Sequence, residues 1–250
     1  MGQTECLIGM HLKKISIDVQ KFPNRTQFPF NLDIFLQTQK ISLDSPVCFF
    51  VGENGSGKST LLKAIARKCG IHIWDGYQTP RFQKSPYEDR LYHAIDVEWE
   101  NGEVPGSFFA SQIFQNFSRA LDAWAVADPK VIDYFGGKSL MAQSHGESLM
   151  SFFKARFGIK GLYLLDEPET ALSPKSLLEL LQLLIRMARA GHAQFIIATH
   201  SPILMACPDS MIISFDQSPL KTIAYEHTDH YRIYKGFMQD MGPYLDGLKN

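Results

Sequence analysis

The chain has 250 residues, of which 45% are hydrophobic and 20% charged, and its formal net charge is −1 at pH 7. This length and hydrophobicity suffice for one substantial core, so we expect a single domain over residues 1–250. The near-zero net charge excludes a general attraction to polyanions. Contact with nucleic acid or an anionic membrane would require a local basic patch.

The cysteine pattern and the hydropathy predict a cytoplasmic location. The four cysteines are scattered and contain no C-x-x-C pair, which favours a reducing compartment. The first residues lack a basic region followed by an apolar run. No stretch reaches the ~18 consecutive apolar residues that a membrane-spanning helix needs.

Residues 12–51 are predicted to be rich in β-structure. The segments "LKKISIDV" and "FNLDIFLQT" alternate apolar and polar residues, as half-buried strands do, whereas "VCFFV" is typical of a fully buried strand. A helix is predicted next, from Ser59 to Lys68. Lys63, Arg67 and Lys68 lie toward its C-terminal end, where they complement the helix dipole or, alternatively, form a patch for nucleic acid.

The remaining chain changes from an irregular to a regular pattern. Residues 71–137 are broken by prolines and contain one clear helical stretch, near "SQIFQNFSRALDAWA". From Glu147 onward we predict a helix, the strand "LYLL", a helix over Pro174–Ala190, and the strands "QFIIAT" and "MIISF". This alternation predicts an α/β fold with a mostly parallel sheet between helices. The C-terminal "HTDHYRIYKGFMQDMGPYLDGL" is predicted to be helical, without a chemical role.

The segment "GENGSGKST" fits the phosphate-binding pattern G-x-x-x-x-G-K-[S/T] and follows a predicted buried strand. Glycines in such a loop let successive backbone N–H groups face one phosphate chain. The lysine reaches the β- and γ-phosphates, and the serine after it binds magnesium. The predicted phosphate-contacting residues are Gly52, Glu53, Asn54, Gly55, Ser56, Gly57, Lys58, Ser59 and Thr60.

Two carboxylates follow the strand "LYLL" in the segment "LYLLDEPET". They lie at the carboxyl end of a predicted parallel strand, where α/β sheets bind their ligands. We predict that Asp166 holds magnesium and that Glu167 deprotonates the attacking water. The alternative is a pair of solvated acids at a strand end.

His200 ends the strand "QFIIAT" and is therefore predicted to face the same crevice, where it contacts the γ-phosphate. Taken alone, a histidine at this position would suggest a structural residue. The two preceding motifs favour the functional interpretation.

At this point the chain resembles the ATP-binding-cassette (ABC) ATPases over nearly its whole length. "GENGSGKST" is similar to Walker A, "LYLLDE" to Walker B, "TALS" to the D-loop and "ATHS" to the switch-histidine loop. The resemblance implies a P-loop NTPase fold with an N-terminal antiparallel β portion and a short inserted helical lobe. It also implies ATP and Mg²⁺ as ligands. We expect a β-rich part over 1–70, the inserted lobe over 71–157 and the later motifs over 158–250.

The segment "SHGE" lies where the family carries its signature motif. Ser144 and Glu147 also have the spacing of a capping box, and the two interpretations are compatible because a capped helix N-terminus is an anion site. The resemblance implies that Ser144 and Gly146 meet the γ-phosphate of ATP bound to a second subunit. The sequence departs from the family pattern at His145, at Glu147 and at Ser173 in the D-loop.

The family also has a glutamine that links magnesium to the lobe with the signature motif. Gln112 is the first candidate for this metal contact and Gln115 is the alternative, although either could be a polar residue of an amphipathic helix. Phe28 and Phe30 are candidates for stacking on adenine, and core packing is the alternative for both.

The resemblance favours the soluble branch of the family, which includes chromosome-maintenance, recombination-repair and phage-defence ATPases. The segment between Lys58 and Ser144 lacks heptads, so long coiled-coil arms are excluded. We therefore predict an ATP-dependent homodimer that acts as a switch, in DNA repair or phage defence, with an unknown protein or nucleic-acid partner. The alternatives are a transporter subunit with a membrane partner and a slow-turnover module that clamps a partner.

Overall fold

The computed structural model describes residues 9–74, 85–135, 137, 139–142 and 144–245, without the side chains of Gln112, Gln115, Tyr134 and His145. The strands within these residues are β1 (Leu12–Ile17), β2 (Lys40–Ser42), β3 (Val47–Val51), β4 (Ile95–Trp99), β5 (Gly106–Ala110), β6 (Gly161–Asp166), β7 (Ala193–Ala198), β8 (Met211–Ser214) and β9 (Lys221–Thr222). The α-helices are α1 (Asp33–Gln37), α2 (Lys58–Lys68), α3 (Ser111–Ala127), α4 (His145–Arg156), α5 (Pro174–Arg189), α6 (Pro202–Met205), α7 (Asp229–Gln239) and α8 (Gly242–Leu245).

The strands form two sheets. A six-stranded sheet has the order β5-β6-β7-β3-β8-β9, and its strands are parallel except for the antiparallel β8–β9 pair. A three-stranded antiparallel sheet has the order β2-β1-β4. The predicted α/β class, the mostly parallel sheet and the N-terminal antiparallel portion are confirmed.

Strand β3 separates two hydrophobic cores because its side chains alternate between the two faces of the large sheet. Cys48 and Phe50 belong to the core that includes the antiparallel sheet and α2. Phe49 belongs to the core on the other side, which α3, α4 and α5 cover. Burial on both faces explains why "VCFFV" is an uninterrupted apolar run, as the sequence predicts.

The prediction of a strand over "FNLDIFLQT" is wrong, because residues 33–37 form helix α1. A short apolar pattern fits a helix as well as a strand, since Leu32, Phe35 and Leu36 also have the three- and four-residue spacing of one helix face. The helix buries Ile34 and Phe35 in the core beside α2. Helix α1 thereby packs against the loop that precedes α2.

Strand β5 is another departure from the sequence prediction, which left residues 106–110 without regular structure. It pairs in parallel with β6 over five residues, from Gly106 opposite Leu162 to Ala110 opposite Asp166. Gly106 is required by this packing, because a Cβ there would lie 2.3 Å from the Ile71 side chain. Helix α3 then follows directly from a strand of the main sheet.

The C-terminal segment is helical, as predicted, and it exposes several large apolar side chains to solvent. Helix α7 contributes no buried residue to the core, and Ile233, Tyr234 and Met238 are exposed. None of the helices in the described part of the chain has the length and hydrophobicity that crossing a bilayer requires.

Gln194 ties the two sheets together at the start of β7. Its side chain is fully buried, and its Oε1 accepts from the backbone N–H groups of His11 (2.9 Å) and Leu12 (2.7 Å). Its Nε2 donates to the backbone oxygen of Leu12 at 2.9 Å. One amide therefore satisfies three backbone groups at the entry to the antiparallel sheet.

Replacing Gln194 by Leu should lower the free energy of unfolding by about 3 kcal/mol or more, because three buried backbone groups lose their partner. Urea unfolding followed by circular dichroism measures this change. Ile196→Val in the same strand is the control and should cost about 1 kcal/mol. A Gln194→Leu protein no less stable than the control would contradict the assigned role.

Candidate functional site

The predicted site residues follow the carboxyl ends of neighbouring parallel strands. Strands β6, β7, β3 and β8 are adjacent, and their carboxyl ends lie within one residue of the same register. Ala198 pairs with Asp166 on one side and with Phe50 on the other, while Val51 pairs with Ser214. The loops that leave these strands therefore emerge side by side at one edge of the sheet.

The loop after β3 has a backbone that favours glycine. Gly52, Gly55 and Gly57 have φ angles of 143°, 79° and 103°, which side-chain-bearing residues rarely adopt. Space is also limiting, because a Cβ on Gly52 would lie 2.8 Å from an oxygen of Asp216. The loop then leads into the N-terminus of α2, whose free N–H groups favour an anion.

Lys58 folds back over the loop that precedes it. Its ammonium donates to the backbone oxygens of Gly52 at 2.6 Å and Glu53 at 2.8 Å, and the residue is only 5% exposed. Burial lowers the pKa of Lys58, and the nearby carboxylates, with Glu167 first, oppose that shift. A cation is therefore held inside the loop with its charge incompletely compensated.

Ser59 and Asp166 connect the loop to the end of β6. The Ser59 hydroxyl donates to Oδ1 of Asp166 at 2.7 Å, and Asp166 is 9% exposed. Burial raises the pKa of this carboxyl, while the bond from Ser59 and the charge of Lys63 act in the opposite direction. A hydroxyl and a carboxylate in contact supply the hard oxygen ligands that magnesium prefers.

Glu167 is held by its backbone and leaves its carboxylate accessible. It has a left-handed conformation, with φ 48°, and its N–H donates to the backbone oxygen of Ala198 at 2.9 Å. Its own backbone oxygen accepts from the hydroxyls of Ser111 (2.8 Å) and Thr170 (3.0 Å). The side chain is 33% exposed, so a water molecule can reach its carboxylate.

His200 lies beside that carboxylate. Its Nε2 is 3.8 Å from Oε1 of Glu167, and its Nδ1 is 2.9 Å from Nε2 of His230. Its backbone N–H donates to the Glu169 carboxylate at 2.5 Å. Burial is the largest cause that lowers the pKa of His200, and the positive charge of Lys58 lowers it further. The neutral form of the imidazole is therefore favoured.

Ser144 forms the predicted capping box at the N-terminus of α4. Its backbone N–H and its hydroxyl donate to Oε2 of Glu147 at 3.1 and 2.6 Å, and the Glu147 N–H donates back to the hydroxyl at 3.4 Å. A Cβ on Gly146 would lie 3.7 Å from the backbone oxygen of Ala171, so this turn lies beside the "TALS" segment. Within the described chain, no hydrogen bond or ion pair joins Ser144 to Lys58 or Glu167.

The candidates for the magnesium-linked glutamine and for the adenine-stacking aromatic residue remain. The side chains of Gln112 and Gln115 lie outside the described residues, so the choice between them stays a prediction. Phe30 is fully buried, so it packs in the core and does not stack on adenine. Phe28 lines a cavity of about 220 Å³ together with Ser59.

The basic end of α2 is paired with acids of the same chain. Arg67 lies 3.1 Å from Asp89, and Lys68 lies 2.8 Å from Asp96. These pairs, together with the helix dipole, account for two of the three cations and weaken the case for a nucleic-acid patch.

The sequence analysis did not identify three residues that the structure places at the site. Asp216 follows β8 and accepts from the Glu53 N–H at 2.8 Å, and Glu169 lies two residues beyond Glu167. The strand-end rule used for Asp166 could have found Asp216. His230 comes from α7, and no local motif connects that helix with the site.

Two family models match separate parts of the chain. One, described as "AAA domain, putative AbiEii toxin, Type IV TA system", matches residues 148–206. The other, described as "AAA domain", matches residues 30–69. The matched ranges contain the loop after β3 and the ends of β6 and β7.

A curated protein of Geobacter sulfurreducens, described as "Putative ABC transporter ATP-binding protein", is 28% identical over 177 residues. The alignment covers 62% of this chain and 59% of the relative, so the chain spans less than two thirds of that protein.

Two solved structures align with most of the chain, and the first of them shares its fold. One described as "An inward-facing conformation of a putative metal-chelate type ABC transporter" aligns over 90% of this chain and 87% of its own, with 17% identity and a TM-score of 0.51. The SMC head domain from Thermotoga maritima aligns over 86% of this chain and 98% of its own, with 17% identity and a TM-score of 0.47.

The matched ranges, the relative and the shared fold agree with the four motifs and with their convergence at one edge of the sheet. The chain is therefore similar to the ABC-type P-loop ATPases in its motifs and in its fold.

Proposed function

We propose that this protein binds Mg-ATP at the carboxyl edge of its parallel sheet, hydrolyses it, and uses the cycle to close and open a homodimer. The observation that carries the proposal is the 2.7 Å hydrogen bond between Ser59 and Asp166, which joins the phosphate loop to the acidic strand end. Glu167 and His200 lie at the same edge, 3.8 Å apart.

Ser59 and Asp166 are the residues that would hold magnesium, because they present oxygen ligands beside the phosphate loop. The ion, when bound, neutralises charge on the β- and γ-phosphates. Burial raises the pKa of Asp166, so its charged form would gain from a nearby cation.

Each remaining residue has one task. The N–H groups of residues 52–60 and the ammonium of Lys58 bind the phosphates. On binding, phosphate oxygens replace the backbone oxygens of Gly52 and Glu53 as partners of the Lys58 ammonium. Glu167 accepts the proton of the attacking water. The neutral imidazole of His200 donates a hydrogen bond to the γ-phosphate.

The position of the signature turn supports the proposed dimer. The helix end at Ser144 has the capping geometry of an anion site and is exposed. Within its own chain it makes no hydrogen bond or ion pair to Lys58 among the described residues. We therefore propose that Ser144 and Gly146 act on ATP bound to a second copy.

A transporter subunit is the second candidate, because the curated relative carries that description and a transporter structure shares the fold. The predicted cytoplasmic location and role in DNA repair or phage defence stay predictions. Native purification separates the two candidates. Recovery of the protein with a membrane-embedded partner would favour the transporter, and recovery from the soluble fraction as an ATP-dependent dimer would favour the switch.

Replacing Lys58 by Ala should weaken ATP binding about ten- to a hundredfold, because a charge-assisted contact worth roughly 1.5–3 kcal/mol is lost. Isothermal titration calorimetry measures the affinity. Lys68→Ala is the matched control, since Lys68 lies at the other end of α2 and pairs with Asp96. Equal affinities for the Lys58→Ala and wild-type proteins would rule out the assigned phosphate loop.

Replacing Glu167 by Gln should slow hydrolysis on the order of 10²–10⁴-fold, because the general base is lost while its size is kept. ATP binding should persist, so the variant should accumulate as an ATP-held dimer in sedimentation velocity runs. Glu179→Gln, on the exposed face of α5, is the control. A Glu167→Gln protein that stays monomeric with ATP would refute the dimer.

Replacing Ser144 by Arg should abolish both the dimer and turnover while ATP binding to the monomer continues. The change adds bulk and a cation at the helix end without altering the phosphate loop. A capping role alone predicts a stability loss of about 0.5–2 kcal/mol and nearly unchanged turnover per folded molecule. Turnover normalised to folded protein distinguishes these results.

A further inference from the structure

The C-terminal helix reaches the site through one side chain. His230 lies in the first turn of α7, and its Nε2 is 2.9 Å from Nδ1 of His200. This turn is anchored by Thr228, which is 1% exposed. The Thr228 hydroxyl accepts from the Tyr231 N–H at 3.2 Å and donates to the backbone oxygen of Tyr225 at 2.8 Å.

The surroundings of the other ring nitrogen favour one position of the proton on His200. Its Nε2 is buried and has no hydrogen-bond partner among the described residues. The carboxylate of Glu167 lies 3.8 Å away. A lone pair on Nε2 would face that negative charge and be repelled, whereas an N–H would be attracted. The charge of Glu167 therefore favours the His200 tautomer with its proton on Nε2.

The neutral forms of both rings are favoured, and in neutral rings the choice of tautomer is decisive. Burial is the largest cause that lowers the pKa of His200 and of His230. Lys58 lowers both pKa values as well, while Asp216 raises that of His230 and Glu167 raises that of His200. A neutral imidazole has one donor and one acceptor nitrogen, so the partner of one nitrogen determines the role of the other.

We propose that His230 is a positioning residue for the switch histidine: its Nε2–H donates to Nδ1 of His200 and so keeps the His200 proton on Nε2. The inference rests on the proposed ATPase function, in which that Nε2–H meets the γ-phosphate. The opposite tautomer of His200 would present a lone pair to phosphate oxygens, which accept hydrogen bonds and cannot donate them.

The tautomer itself is the first test, and it does not require turnover. Nitrogen-15 NMR distinguishes protonated from unprotonated imidazole nitrogens, and the His200 signals are assigned by their loss in His200→Ala. Wild-type His200 should be protonated at Nε2. His230→Phe should give a mixture of tautomers, and His230→Gln should restore the wild-type form, because its amide N–H₂ can donate. The exposed His227 lies in the same segment, and His227→Phe should change nothing.

Kinetics is the second test. His230→Phe should lower kcat about ten- to a hundredfold with the KM for ATP within twofold, by analogy with the hydrogen-bond partners that orient metal-binding histidines, whose loss has effects of that size. His230→Gln should recover most of kcat, and His230→Phe should cause no further loss in a His200→Ala background.

An unchanged His200 tautomer in His230→Phe, or a full additional loss of kcat in the His200→Ala background, would overturn the inference. A wild-type protein without ATPase activity would instead refute the proposed function. The NMR result would still decide whether His230 sets the tautomer of His200.

Discussion

The register of four parallel strands is the constraint on which the rest of the site depends. Because Ala198 of β7 pairs with both Asp166 of β6 and Phe50 of β3, the loops after these strands leave the sheet at the same level. Val51 pairs with Ser214 in the same way and brings the loop with Asp216 alongside. Groups that are far apart in the sequence therefore meet without any long side chain having to bridge a gap.

This convergence places buried charges in one small volume. Burial lowers the pKa of Lys58 and raises that of Asp166, so each is more costly in its charged form than it would be in water. The backbone oxygens of Gly52 and Glu53 and the hydroxyl of Ser59 only partly compensate. A magnesium–phosphate ligand carries the charges that would complete this compensation, and the apolar cores on both faces of the sheet keep the strand ends in place.

The sequence predicts the parts of the site that depend on local chemistry. The phosphate loop, Asp166, Glu167 and His200 can be assigned because each directly follows a recognisable buried strand. The sequence signal for α1 is ambiguous, since a short apolar pattern does not distinguish a helix from a strand. For β5 a local signal is absent, because this strand is specified by its pairing with β6. His230 could not be predicted, because its place beside His200 depends on how α7 docks after β9. The exposed apolar side chains of α7 gave no sign of that contact either.

The most direct test of the central claim is the magnesium dependence of ATP affinity. If Ser59 and Asp166 form the metal side of the site, the wild-type protein should bind ATP at least about tenfold more tightly with Mg²⁺ than with EDTA, as expected for loss of a charge-assisted contact. Asp166→Asn, measured by the same calorimetry, should bind ATP with nearly equal affinity under both conditions. An equal magnesium effect in the two proteins would contradict the account, because the metal would then be held without Asp166.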